Sequence, residues 1–233
     1  MRGHVACRLC EANGLAECTV LHGIENVAIR DAFHFAASRL GVSVLAESSK
    51  HIHWCGSFFG RTDLSAKVVH LVRHPCGFVE SHGRRLPKLS PDDLLAMWER
   101  ENREISKLAA RAQYMMISYD DLTAAPNIHF PRLCEFIGGT WEPGAIEYWR
   151  FPHHGLGANG AAAPYLRGRP NAHLTTGDDA FYADIENRPT APDLRWTIRL
   201  PAEFIQRAIN HPYAIELEEV LGKKWAGHDQ PVR

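Results

Sequence analysis

The run Lys67-Val68-Val69-His70-Leu71-Val72, cut off by Arg73-His74-Pro75, constrains this chain more than any other segment. Six residues dominated by β-branched and other apolar types read as a buried strand, and a proline cannot continue it because it has no N–H for the ladder. Pro75 suits the first turn of a helix, so the spacing predicts strand, short turn and a helix from Cys76 to about Arg85. Such a unit delivers Arg73 to the carboxyl end of a strand, the edge at which open α/β sheets gather ligand groups. Ser81 returns eight residues after Arg73, two helical turns on, so a guanidinium and a hydroxyl can grip one phosphate.

The remaining pattern repeats this alternation. Apolar residues from Glu25 to Leu40 recur mostly at helical spacing, with Gly41 as a stop. Val42-Ser43-Val44-Leu45-Ala46 reads as a short buried strand opening into Glu47-Ser48-Ser49-Lys50. Ser90-Pro91-Asp92-Asp93 starts a helix predicted to reach Arg111, because Ser90 caps it, Pro91 fits the first turn and the acids favour the positive end of the dipole. Gln113 to Tyr119 is a third strand, Pro126 to Ile137 a helix closed by Gly138-Gly139, and Pro201–Ile209 and Ala214–Leu221 are closing helices. Strands alternating with helices predict an α/β fold of three layers, a mainly parallel sheet flanked by helices on both faces with right-handed crossovers. One domain over residues 1–233 is expected, with an irregular cysteine-bearing segment at 1–24 and a long Gly-, Ala-, Pro- and His-rich loop region at 151–192.

Composition narrows the function. With 26 Lys+Arg against 27 Asp+Glu, the chain lacks the cationic surplus that nucleic-acid binding draws on to release counterions. No run approaches the roughly 20 apolar residues that span a bilayer, and Met1-Arg2-Gly3-His4 opens no apolar signal core, so no membrane partner and a cytoplasmic location are expected. Twenty of the 26 cations are arginine, whose planar fork suits phosphate and sulfate, although a GC-rich genome produces the same bias. Cys7, Cys10 and Cys18 have zinc-knuckle spacing, with His4 or His22 as a fourth ligand, but no second pair matches them. Reduced thiols without metal are the expectation, and Cys55, Cys76 and Cys134 read as core or near-core fillers. Trp98, Trp141, Trp149 and Trp196 are read as packing residues.

Three separated pieces, in order, resemble the sulfotransferases that use 3'-phosphoadenosine 5'-phosphosulfate (PAPS), particularly their bacterial branch. They are the strand with Ser48-Ser49-Lys50, then Leu71-Val72-Arg73-His74-Pro75 with Ser81, then Ser118-Tyr119-Asp120-Asp121-Leu122 with Pro126. A fourth, Arg132 to Gly138 running on to Tyr148-Trp149 and His153-His154-Gly155, is similar to the stretch after the third strand in that branch. The resemblance implies a P-loop nucleoside-kinase-like fold and transfer of a sulfuryl group from PAPS, as co-substrate, to a hydroxyl or amine of a small-molecule or carbohydrate acceptor, without metal. It implies that Arg73 and Ser81 hold the 3'-phosphate, that Tyr119 packs near the adenine and that Lys50 neutralises the sulfuryl group in flight. His51, His53 and Glu47 compete for the role of base; neither histidine has the spacing from the lysine used by the cytosolic enzymes.

The family's Gly- and Ser-rich loop for the 5'-phosphosulfate has no counterpart before Lys50, nor does the strand that leads into it. A sheet without that strand has an open edge, which another segment or a second copy of the chain would cover. Two other readings stand beside the enzyme: a non-catalytic binding or scaffold protein on this fold, and a phosphoryl transferase. The last is disfavoured because Gly-x4-Gly-Lys-Ser/Thr and a magnesium-holding strand aspartate are missing.

Overall fold

The computed structural model describes residues 18–48, 52–147 and 190–227. The chain separates into two compact units, Met1–Ser49 with Ile137–Pro189, and Lys50–Phe136 with Thr190–Arg233.

In the first unit, Cys18 and Leu21 are buried with Val20, Ala36 and Leu40 packed against them. The helix expected from Glu25 divides: single 3-10 turns at Ile24–Asn26 and Ile29–Asp31 precede α1, Ala32–Leu40. Val27 and Ala28 are extended, with ψ of 139° and 140°, which interrupts the hydrogen-bond ladder before α1 nucleates. Gly41 ends α1 in the left-handed region at φ 65°, as its position implied. Val42–Ala46 is not a strand: it pairs with nothing in a sheet among the described residues, and Val42 and Val44 are exposed. Three large apolar residues between Gly41 and Glu47 are too few to bury a face.

In the second unit a one-turn helix, α2 (Ile52–Gly56), precedes β1 (Lys67–Val72), α3 (Pro75–Gly83), α4 (Pro91–Ser106) and β2 (Gln113–Ser118). Then come α5 (Tyr119–Ala124), α6 (Pro126–Ile137), α7 (Trp196–Arg199), α8 (Ala202–Ile209) and α9 (Pro212–Leu221). β1 and β2 are parallel, paired from Lys67 with Gln113 to Val72 with Ser118, so their carboxyl ends lie side by side. The crossover is α3 and α4, and each starts where its cap dictates. His74 Nδ1 accepts from the Cys76 N–H, while Ser90 and Asp93 form a reciprocal capping box. The helix expected to reach Arg111 tightens to a 3-10 turn at Lys107–Ala110.

The core lies on one face of this pair. Val72, Cys76, Val79, Leu94, Trp98, Ile205, Ile209, Tyr213 and Trp225 form one buried cluster, and α8 contributes Phe204, Ile205, Ala208 and Ile209 as a single stripe. His70 is buried on the same face of β1 as Val72; its Nε2–H donates to Asn102 Oδ1 at 2.7 Å and its Nδ1 accepts from the Tyr114 hydroxyl at 2.5 Å. The opposite face of β1 carries Val69 and Leu71, 37% and 44% exposed, so helical cover on both faces is not found among the described residues. Of the tryptophans read as packing residues, Trp98 and Trp196 are fully buried, Trp141 is half-buried and Trp149 lies outside the described residues.

The closing segment is tied to the core through Glu218. Its buried carboxylate accepts from the Trp225 backbone N–H at 2.6 Å and pairs with Lys224 at 2.8 Å, and Trp225 Nε1–H donates to Ala214 O. This connection carries Lys223 to the end of β2, where its ammonium donates to Ser118 Oγ at 3.0 Å and Asp121 Oδ1 at 2.5 Å.

Candidate functional site

The adjacent carboxyl ends of β1 and β2 gather Arg73, Tyr119, Asp120, Asp121 and Lys223. Arg73 is held from its backbone: Trp98 Nε1–H donates to its carbonyl at 3.0 Å. The next residue, His74, donates its backbone N–H to Asp120 Oδ2 at 3.0 Å, which joins the turn after β1 to the start of α5. The Arg73 guanidinium carbon stands 5.3 Å from the centre of the Tyr119 ring. Two residues that the family resemblance assigned to the nucleotide therefore come together.

Ser81 lies buried on α3, on the same face as Gly77, one turn beyond it. Gly77 has a steric reason for its identity. A Cβ added there would stand 3.2 Å from Arg73 Nε and 3.6 Å from Trp196 Cδ1, so the bare backbone leaves room for the guanidinium to lie across the first turn of α3.

The partner of Arg73 is a carboxylate from the other side of the long loop region. Asp193 Oδ2 accepts from Arg73 Nη2 at 2.8 Å and from Arg195 Nη2 at 2.6 Å, while Oδ1 accepts from Arg195 Nε at 2.8 Å. Burial of Asp193 opposes its ionisation, but hydrogen bonds from Arg195 and the charges of Arg195 and Arg73 outweigh that, and its carboxyl is held down to about 2. Asp120 responds oppositely. Burial pushes its carboxyl above the usual range against the pull of the His74 N–H, Lys223 and Arg73.

His74 has no free nitrogen for proton transfer. Its ring is buried and stacked on Trp196 at 4.2 Å, Nδ1 accepts from Cys76 N–H, and Nε2–H donates to Ala226 O at 3.1 Å. Burial lowers it to about 4, with Lys223 and Arg73 adding to the effect and Ala226 O and Glu218 opposing it, so it is neutral at pH 7. It is a structural pin.

The four candidates for the transfer chemistry are placed differently. Lys50 and His51 lie outside the described residues. His53 is exposed on α2 of the second unit, and Glu47 is exposed on chain without regular secondary structure in the first unit. Of the cysteines with knuckle spacing, Cys7 and Cys10 lie outside the described residues; Cys18 is buried, with Sγ accepting from Leu21 N–H at 3.2 Å. Among the described residues no cluster of His, Cys, Asp and Glu could hold a metal ion, and no helix is long and apolar enough to cross a membrane.

Asp193, Arg195, Asp120 and Lys223 were not singled out from the sequence. Asp193-Leu194-Arg195-Trp196 had a visible signal in an acid and a base beside a large aromatic just after Pro192, but nothing local linked it to Arg73, 120 residues earlier.

Residues 65–143, the segment holding β1, α3, α4, β2, α5 and α6, match a profile described as the Sulfotransferase family. Among solved structures, the Sulfotransferase Domain from the Curacin Biosynthetic Pathway is similar in fold, with a TM-score of 0.52 at 18% identity over 93% of this chain and 77% of that one. No curated protein matches. The matched segment thus resembles the Sulfotransferase family, and the chain shares the fold of a sulfotransferase domain.

Proposed function

We propose that the chain transfers a sulfuryl group from PAPS to a hydroxyl or amine of a small-molecule acceptor, with the donor nucleotide bound at the carboxyl ends of β1 and β2. The observation that carries this reading is Arg73, fixed at its backbone, lying over the Gly77 notch and facing an anionic group beside the Tyr119 ring. A guanidinium that already receives a carboxylate oxygen in a half-buried setting has the charge and fork geometry for a phosphate oxygen. In this reading Arg73 and Ser81 hold the 3'-phosphate and Tyr119 packs against the base. Lys50 neutralises charge on the sulfuryl group, and His51, His53 or Glu47 receives the acceptor's proton. Transfer is an in-line displacement at sulfur that rests on positioning and charge neutralisation, as in phosphoryl transfer.

Calorimetry with adenosine 3',5'-bisphosphate and PAPS, and with ATP plus magnesium as the control, tests the reading on the full chain. Micromolar binding of the first two with weak ATP is expected. Arg73→Ala should cost about 1.5–3 kcal/mol of that affinity, the range for a charge-assisted hydrogen bond. Unchanged affinity in this variant removes Arg73 from the site, and no binding by the wild type withdraws the sulfuryl-transfer reading.

A further inference from the structure

Two guanidiniums converge on one carboxylate oxygen in this protein. Asp193 Oδ2 takes Nη2 of both Arg73 and Arg195, and Oδ1 takes Arg195 Nε together with the Arg195 backbone N–H at 3.2 Å. The three side chains are mostly shielded, 12% exposed for Asp193, 24% for Arg73 and 26% for Arg195. One carboxylate oxygen is shared by the two guanidiniums there. Asp120, a second acid in electrostatic range of Arg73, has its Oδ2 engaged by the His74 N–H. A phosphate dianion offers two charges and three oxygens to the same pair of forks, which suits the geometry in which both already meet one anionic oxygen.

A second observation lies beside this pair. Trp196 follows Arg195 directly and is buried, and its Nε1–H has no acceptor among the described residues. The adjoining ring atom, Cδ1, lies 3.6 Å from the point where a Gly77 Cβ would sit, the same point that Arg73 Nε approaches to 3.2 Å. An unsatisfied indole donor in a core costs free energy comparable to a lost hydrogen bond. Here it borders the bare backbone under Arg73, beside the guanidinium that would bring in a phosphate oxygen.

We propose that Asp193 is an internal surrogate for the donor's phosphate: it keeps Arg73 and Arg195 aligned as a two-guanidinium clamp, and the nucleotide binds by displacing it. Arg195 thereby joins Arg73 as an anion-binding residue, and Asp193 sets the affinity by competing for both. The inference rests on the proposed donor site. A nucleotide that must first displace an internal anion binds more weakly by the fraction of molecules in which the clamp is open.

The test is calorimetry of adenosine 3',5'-bisphosphate on the full-length wild type, Asp193→Asn, Arg195→Gln and Arg73→Ala, each confirmed as folded by urea denaturation. Asp193→Asn keeps the side-chain shape and removes the competing charge, so its Kd should fall about tenfold, whereas Arg195→Gln should raise Kd at least tenfold. A purely structural Asp193 predicts the opposite sign for the first variant, since loosening the segment weakens binding. If the wild type binds and Arg73→Ala abolishes it, yet Asp193→Asn is unchanged or weaker, the surrogate role is overturned while the donor site stands. If neither the wild type nor Asp193→Asn binds, the donor site itself falls, and the inference with it.

Discussion

His74 makes the folded protein sensitive to acid in a way that can be worked from its surroundings. The ring is 2% exposed, stacked on Trp196 and edge-on to Trp225 at 5.4 Å, with both nitrogens committed to backbone groups. Nδ1 must stay unprotonated to accept from Cys76 N–H, so protonation breaks the cap of α3 and places a cation against Lys223 and Arg73. The folded ring titrates at about 4, whereas in the unfolded chain it takes up its proton near 6.5. Above pH 6.5 both states are neutral and the ring adds no pH dependence. As pH falls from 6.5 to 4 only the unfolded state gains the proton, so stability is lost over that window, by about 3 kcal/mol.

The assay is urea denaturation of the wild type and His74→Asn at pH 7.5 and 4. Asparagine retains an N-cap acceptor and removes the titration, at the cost of the stacking on Trp196. The variant should start less stable at pH 7.5 but lose about 3 kcal/mol less on acidification. His70 and His82, both lowered chiefly by burial, contribute in the same direction and leave a residual slope in both proteins. An equal loss of stability in wild type and variant between pH 7.5 and 4 would refute the argument.

Gly77→Ala should separate folding from binding: alanine favours the helix by up to about 1 kcal/mol, while its methyl crowds Arg73 Nε. The melting temperature should hold or rise as the Kd for adenosine 3',5'-bisphosphate rises several-fold, and unchanged binding would show that Arg73 can take another path. Glu218→Ala strands the Trp225 N–H in the core and frees Lys224, for a loss of about 1–3 kcal/mol in urea denaturation. Lys50→Ala should lower kcat with little change in donor affinity if its charge acts on the transition state, and an equal loss in both would make it a binding residue.

The middle of the chain was readable because its signals are local. Pro75, the Ser90 capping box and the apolar strands around them each act within a few residues, and β1, α3, α4 and β2 appear where those signals put them. Arg73 and Tyr119 lie together because each follows a strand and the two strands are parallel neighbours; Arg73 stood out by its local pattern, whereas Tyr119 was picked out only by the family resemblance. What the sequence hid is non-local. Asp193 reaches Arg73 across 120 residues, and Lys223 reaches Asp121 across 102. No spacing rule registers such pairs, because each needs the whole fold to bring its ends together. Val42–Ala46 misled in the opposite sense: β-branched residues raise strand propensity, but a strand forms only where a neighbour accepts its ladder, and none of the described residues does.

The central claim is that Arg73 receives the nucleotide's 3'-phosphate, and phosphorus NMR of adenosine 3',5'-bisphosphate bound to the full chain tests it most directly, because the two phosphates give separate resonances. The account predicts that the 3'-phosphate resonance shifts on binding and titrates at lower pH than in the free nucleotide, and that Arg73→Ala reverses both changes. A response confined to the 5'-phosphate, or a shifted 3'-resonance that is unaltered by Arg73→Ala, would contradict it.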